Sequence, residues 1–252
     1  MVNKINIIFA PKIYLKNKKC MNKQLFTKKM KLADMISVNY YLIFTLPRLG
    51  IPLGFGDKSV AEVCAKYNVP VDFFLLVCNV YTFDSYVPDK EDVVITDMRM
   101  LLQYLQASHN TYLREKLPHI EEHLNRIADE AGTKYGMMLR RFFEEYKKEV
   151  HEHFIYEEQV VFPYIESLNQ GNPNKTYQIK DYEKAHSNIE DKLNDLLQII
   201  FKYLPGDISP DDSVEVVFDI FQLSSDLNKH SLIEEKILVP YVEFLERNKN
   251  GQ

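Results

Sequence analysis

The sequence predicts an all-α protein: an antiparallel up-down-up-down four-helix bundle preceded by a small helical N-terminal domain. Two observations carry this. From about Val93 to the end, apolar residues recur with the helical period, and breakers interrupt them at only three places: Ala131 to Gly136, Leu168 to Lys175, and Leu204 to Asp212. The chain of 252 residues is 46% hydrophobic and 27% charged with only 8 Gly and 11 Pro, enough apolar material for a real core and little of the punctuation an all-β fold needs. Four long helices joined by short connections must alternate in direction.

In chain order, residues 1–34 read as a basic, solvated tail, part of which a start at Met21 would remove. Residues 35–86 read as the small helical domain. Within it, Met35 to Leu46 precedes a turn-rich patch from Pro47 to Gly56, followed by short helices over Ser59 to Tyr67 and Asp72 to Val80. Ser59 and Asp72 are the expected N-caps. Ser85, Pro88 and Asp89 break the apolar pattern between Tyr86 and Glu91 as a linker would, and residues 93–249 form the bundle.

The net charge of −5 hides an asymmetry: residues 1–34 hold nine Lys against the single acid Asp34, which leaves a distinctly acidic body. Phosphate neutralisation needs clustered Lys and Arg, so a nucleic-acid surface is not expected. No run approaches the roughly 20 apolar residues of a membrane span, and Ile5 to Ala10 is too short for a signal-peptide core. These features predict a cytoplasmic protein without a membrane partner. Cys20, Cys64 and Cys78 have no metal or redox spacing and read as reduced thiols.

Four of the seven histidines form a pattern. His109, His153, His186 and His230 fall on four different predicted helices, separated by 44, 33 and 44 residues. The midpoints between successive members lie at residue 131, between residues 169 and 170, and at residue 208, each inside one of the three breaks. Residues equidistant from the turn of a hairpin share a height, so all four can meet in one layer. Two of them open the same motif, His153-Phe-Ile-Tyr-Glu157 and His230-Ser-Leu-Ile-Glu234. Four residues along a helix return a side chain to within roughly 40° of the same face, so each His and Glu pair can chelate or bridge. Glu158 and Glu235 rotate by roughly 100° more and are expected to face away.

Imidazole with carboxylate suits iron, manganese or zinc. Six ligands exceed one structural zinc site. Two bridging glutamates with two histidines per metal describe a dinuclear centre with open positions, which suits binding or activation of a small diatomic molecule. His119, His123 and His151 fail the same test of height and face and read as surface or core residues. Tyr112, Tyr156 and Tyr182 fall three or four residues from ligand histidines and either approach the centre or belong to the aromatic core. Glu149 and Asp226, four residues before His153 and His230, are candidates to accept the outer imidazole N–H of a metal-bound histidine, or else line a polar channel.

His109 with Tyr112, His153-Phe-Ile-Tyr-Glu157-Glu158 running on to Phe162-Pro163, the lone His186, and His230-Ser-Leu-Ile-Glu234-Glu235 running on to Pro240 resemble the hemerythrin-like repair-of-iron-centres (RIC) family. The resemblance covers about Met98 to Glu246. Oxygen-carrying hemerythrins differ by a fifth histidine and an aspartate. The resemblance implies a bacterial cytoplasmic protein with two non-haem iron ions bridged by an oxo group. It implies a role in the stress response, in which the protein supplies iron to, or helps repair, iron–sulfur clusters damaged by nitric oxide or oxidants. Iron–sulfur proteins would then be its clients and nitric oxide or oxygen its small ligands, while the residues leave open both a monomer and a homodimer. The alternatives are a nitric oxide or oxygen sensor or scavenger, and a nitric oxide reductase or peroxidase. Family members also carry two adjacent cysteines in a small N-terminal domain whose counterpart looks like Leu49-Gly50-Ile51 to Cys64. Here Leu53 and Gly54 stand in the region expected to hold the thiols, which puts any function needing that pair in doubt.

Overall fold

The computed structural model describes residues 25–94, 97–171, 177–185, 189–205 and 208–250. Cys20, Met21 and most of the basic tail lie outside the described residues, as does His186. Every regular element among the described residues is helical, and none of these helices is long and apolar enough to cross a membrane.

The N-terminal segment holds α1 (Leu32–Val38), a 3-10 turn (Tyr40–Phe44), α2 (Thr45–Arg48), α3 (Val60–Lys66) and α4 (Val71–Thr82). Ser59 caps α3 in a capping box: its hydroxyl accepts from the Glu62 N–H, and the Glu62 carboxylate accepts from the Ser59 N–H at 2.8 Å. Asp72 is not a cap. Pro70 precedes α4 and Asp72 sits in the first turn, where a negative charge meets the positive end of the helix dipole. The expected run from Met35 to Leu46 is divided at Asn39, whose side chain accepts from the Tyr41 N–H at 3.1 Å and so diverts the backbone from α-helix. A short helix, α5 (Lys90–Val94), follows the linker.

Four long tracts make up the rest. The first is α6 (Met98–Thr111), a π-helical turn (Tyr112–Lys116) and α7 (Leu117–Glu130). The second is α8 (Gly132–Tyr156), a π turn (Glu157–Val161) and α9 (Phe162–Asn169). The third contains α10 (Ile179–Ala185) and α11 (Ile189–Tyr203), and the fourth α12 (Pro210–Ile233), a π turn (Glu234–Leu238) and α13 (Val239–Asn250). α7 and α11 each pack against both α8 and α12, so the tracts close into a ring around a common interior. The turn between α7 and α8 is tighter than the sequence suggested. Only Ala131 separates them, and Gly132 takes the left-handed conformation (φ +74°) that L side chains resist. Gly136 lies inside α8, where a Cβ would meet the Ala128 carbonyl oxygen at 2.1 Å, so its bare backbone is what lets α7 and α8 approach.

The three π turns share one cause. Each is closed by an N–H bonded five residues back, Leu117 to Tyr112, Phe162 to Glu157 and Val239 to Glu234. The next residue is a proline in every case, Pro118, Pro163 and Pro240. A proline inside a helix has no N–H to give and its ring collides with the carbonyl four residues earlier. Widening the turn by one residue removes that collision without ending the helix. Two of these turns begin on the candidate ligands Glu157 and Glu234.

Buried side chains form two apolar clusters. One joins the N-terminal segment (Met35, Leu46, Val77 and Cys78 among others) to Leu101, Leu105, Val161, Ile165, Ile233 and Ile237. The other runs from Tyr112 through Leu124, Phe143, Phe154, Leu193 and Ile220 to Leu227. The N-terminal segment is also pinned by a buried ion pair. Arg48, at the end of α2, donates from Nη1 to Asp226 Oδ1 at 3.1 Å and from Nη2 to Asp226 Oδ2, with side chains only 2% and 3% exposed. The Tyr81 hydroxyl donates to the same carboxylate at 2.7 Å, and the guanidinium lies 5.1 Å from the Tyr112 ring centroid. Removing one partner strands a charge in the core, so Arg48→Ala is expected to cost about 3–5 kcal/mol in urea unfolding, whereas the apolar pair Arg48→Met with Asp226→Leu costs far less. Equal losses for the two variants would show that the ion pair does not hold the segment.

Candidate metal centre

Between the two apolar clusters lies a polar layer. His109 leaves the first tract just before its π turn, Glu157 and Glu234 open the π turns of the second and fourth, and His230 stands one turn before Glu234. All four are buried, and one ligand atom from each lies within 4.8 Å of the others. His109 Nε2 is 3.0 Å from Glu157 Oε2 and 3.2 Å from His230 Nε2. His153 Nε2 is 3.1 Å from Glu157 Oε1, and His230 Nε2 is 3.2 Å from Glu234 Oε1. For metal–ligand bonds of about 2.1 Å, neighbouring ligands around an octahedral ion are about 3.0 Å apart. The lone pairs of these groups therefore already stand at coordination spacing. Five of the six expected ligands meet in this layer, and the sixth, His186, lies outside the described residues.

The surroundings differ from the sequence expectation at Glu158, Glu149 and Asp226, and agree with it at Glu235. Glu158, expected to face away, accepts from the His109 Nδ1–H at 2.9 Å. The rotation of roughly 100° from Glu157 turns it from the bundle axis into the seam with the first tract, and the His109 ring spans from axis to seam, so consecutive residues reach its two nitrogens. Glu235 is exposed. Among the described residues the candidate acceptors Glu149 and Asp226 reach none of these histidines: Glu149 pairs with Lys192, and Asp226 is taken by Arg48 and Tyr81. His230 Nδ1 accordingly has no hydrogen-bond partner among the described residues.

Among the described residues, Tyr182 is the one of the three tyrosines that touches a carboxylate of this layer, donating to Glu157 Oε1 at 2.9 Å. Burial, then Glu234 and Glu157, push its phenol well above the ordinary range, so it stays a donor. Tyr112 donates to the Asp226 carbonyl at 3.3 Å and sets its ring edge-on to His230, while Tyr156 pairs with Tyr177 at 3.1 Å. Phe154 stacks on His109 at 4.1 Å and Phe162 at 5.8 Å, an apolar sheath around the imidazole.

Carboxylates buried this deeply cost several kcal/mol each unless a positive charge offsets them. Burial works against a proton on His109, yet Glu157 and Glu158 outweigh it and raise the imidazole from 6.5 to about 9. Burial and Glu234 work against ionised Glu157, and His109 with His153 still hold it below the ordinary carboxylate value. An imidazole proton thus offers the charge that a bound cation would replace.

The sequence matches the family described as Hemerythrin HHE cation binding domain over residues 101–242, more than half of the chain. The chain belongs to the hemerythrin HHE cation-binding family. It is also 20% identical over 187 residues to "Iron-sulfur cluster repair protein ScdA" of Staphylococcus haemolyticus (strain JCSC1435), covering 73% of this chain and 83% of that protein. The hemerythrin match spans His109, His153, Glu157, His230 and Glu234 together, and an all-nitrogen and carboxylate donor set at these spacings fits the cation that the family description names.

Two consequences are measurable. Outer partners of ligand histidines typically contribute about 10–100-fold to metal affinity, so Glu158→Gln is expected to weaken ferrous ion binding by that order and Glu235→Gln to leave it unchanged. Equal affinities for the two variants would remove Glu158 from the site. A histidine raised from 6.5 to about 9 stabilises the metal-free fold below pH 6.5, and that contribution is lost as pH rises through about 9. A metal must displace the same proton, so apparent ferrous affinity in anaerobic titrations is expected to rise over this window; a flat response would show that His109 carries no proton.

Proposed function

We propose that this chain is a non-haem di-iron protein of the stress response, which supplies iron to, or helps repair, iron–sulfur clusters damaged by nitric oxide or oxidants. Its ligands are His109, His153, Glu157, His186, His230 and Glu234, with the two glutamates bridging and two histidines on each iron. The observation that carries the reading is the buried layer in which Glu157 meets both His109 and His153 while Glu234 meets His230. Likeness to a protein named for iron–sulfur cluster repair supports the use made of that layer.

When bound, the irons would supply open coordination positions and one-electron chemistry. The chain's own residues do the rest. Phe154 and Phe162 keep bulk water from His109, Glu158 fixes the orientation of its ring, and the Tyr182 hydroxyl holds Glu157 by one oxygen. Glu158 is one-third exposed, so the His109 side of the layer is connected to solvent through a carboxylate, the kind of group that lets a cation exchange.

Repair in this family is associated with an adjacent thiol pair that this chain lacks. Leu53, where such a thiol is expected, is exposed at 63%. Cys64 and Cys78 are both buried, and burial pushes Cys64 up to about 11 and Cys78 higher, so neither is a thiolate at neutral pH. Iron delivery from the bundle alone is therefore the form of the proposal. The test is a client enzyme whose cluster has been damaged with peroxide or nitric oxide, incubated with iron-loaded protein or with the His230→Ala, Glu234→Ala variant. Reactivation by the wild type and not by the variant is expected. Failure of the iron-loaded protein under conditions where free ferrous iron succeeds would end the proposal.

A further inference from the structure

A second cluster of metal-binding groups lies away from the central layer. His119 and His123 stand one turn apart on α7, and Glu215 and Asp219 stand one turn apart on the facing α12. They are ten to fifteen residues from His109 and His230 along their tracts, about 15–23 Å at helical rise, so they share no ligand with the central layer. His119 Nε2 is 3.4 Å from Asp219 Oδ2, His123 Nδ1 is 3.4 Å from the same oxygen, and His123 Nδ1 is 3.5 Å from Glu215 Oε2.

These separations are too long for charge-assisted hydrogen bonds, which close to about 2.7–2.9 Å. They equal the edge of a tetrahedron: bonds of about 2.1 Å at the tetrahedral angle place ligands about 3.4 Å apart. The atoms that converge are also unsatisfied. His123 is only 8% exposed, and among the described residues neither its Nδ1 nor Asp219 Oδ2 has a hydrogen-bond partner, although both atoms are buried. A buried imidazole nitrogen and carboxylate oxygen left without a partner call for an explanation. Arg126, the neighbouring cation on α7, is turned to Glu122 and Asp212 and does not fill the gap.

We infer that His119, His123 and Asp219, whose ligand atoms lie within 4.8 Å of one another, form a second, mononuclear site for a tetrahedral divalent cation, zinc foremost, which Glu215, exposed and already against His123, completes by a turn of its side chain, clamping α7 to α12. Two neutral imidazoles and two carboxylates make a neutral complex with such an ion, and the exposure of His119 at 53% and Glu215 at 57% gives it an entry path. The site differs from the central layer in geometry, in nuclearity and in its access to solvent.

The test uses the full, iron-loaded chain, titrated with Zn²⁺ in competition with a chromophoric chelator while iron content is followed. One zinc per chain is expected, with iron retained. Removing a ligand should cost at least the tenfold lower end of what outer partners contribute, so zinc binding is expected to weaken by more than about tenfold in His123→Ala and Asp219→Asn. His119→Ala, at an exposed position where refolding is not at stake, should do the same without changing iron content or far-ultraviolet circular dichroism. Cobalt(II) in place of zinc should give the intense visible d–d absorption of a tetrahedral ion in the wild type and lose it in His119→Ala. Zinc uptake that is absent from the iron-loaded wild type, or unchanged in His119→Ala, would overturn the assignment.

Discussion

Two carboxylates inside an apolar bundle set the terms for everything around them. Glu157 and Glu234 are each 1% exposed, and a buried carboxylate is tolerated only against a positive charge and a full set of hydrogen bonds. Histidines from three tracts converge on them in the described residues, Tyr182 donates a further hydrogen bond, and the whole layer divides the hydrophobic interior into two clusters. The hemerythrin-family cation is what such a layer is suited to hold. The π turns belong to the same arrangement: two of them begin on these carboxylates, and the prolines that impose them follow at a fixed distance of six residues.

α12 ties the parts of the molecule together. Along one helix it carries Glu215 and Asp219 facing α7, Asp226 facing the N-terminal segment, and His230 facing the central layer. Because Arg48 occupies Asp226, the carboxylate one turn before His230 serves the joint between segments and not the imidazole. Tyr112 joins both, its ring lying under the Arg48 guanidinium and edge-on to His230. The N-terminal segment meets the bundle through apolar packing, this buried ion pair and a more exposed one between Asp84 and Lys229, while Cys64 and Cys78 are enclosed in the apolar cluster and burial raises both thiols.

Much of this was legible in the residues themselves. Helical periodicity gave the all-α class, the breaks fell where the turns are, and equal spacing from those breaks brought His109, His153, Glu157, His230 and Glu234 into one layer. These are properties of a regular repeat: once a helix has 3.6 residues per turn and a hairpin has a midpoint, height and face follow by counting. Ser59 was equally readable because a capping box is a local pattern complete within four residues.

What counting could not reach depends on a neighbouring helix. Helix geometry fixes the direction of Glu158 only from its own axis, and that direction points outward, whereas its partner is the outer nitrogen of a ring from the next tract. Spacing alone sets Asp226 one turn before His230, yet its carboxylate meets Arg48, 178 residues away in sequence. Counting along α7 places His119 and His123 off the central layer and goes no further, because the carboxylates that face them, Glu215 and Asp219, lie nearly a hundred residues further along the chain. The sequence by itself determined the repeat, the turns and the shared height of these histidines and glutamates, since those are set by short-range geometry. The tertiary structure decided which charge each buried side chain meets, since that is fixed only when separate helices are packed against one another.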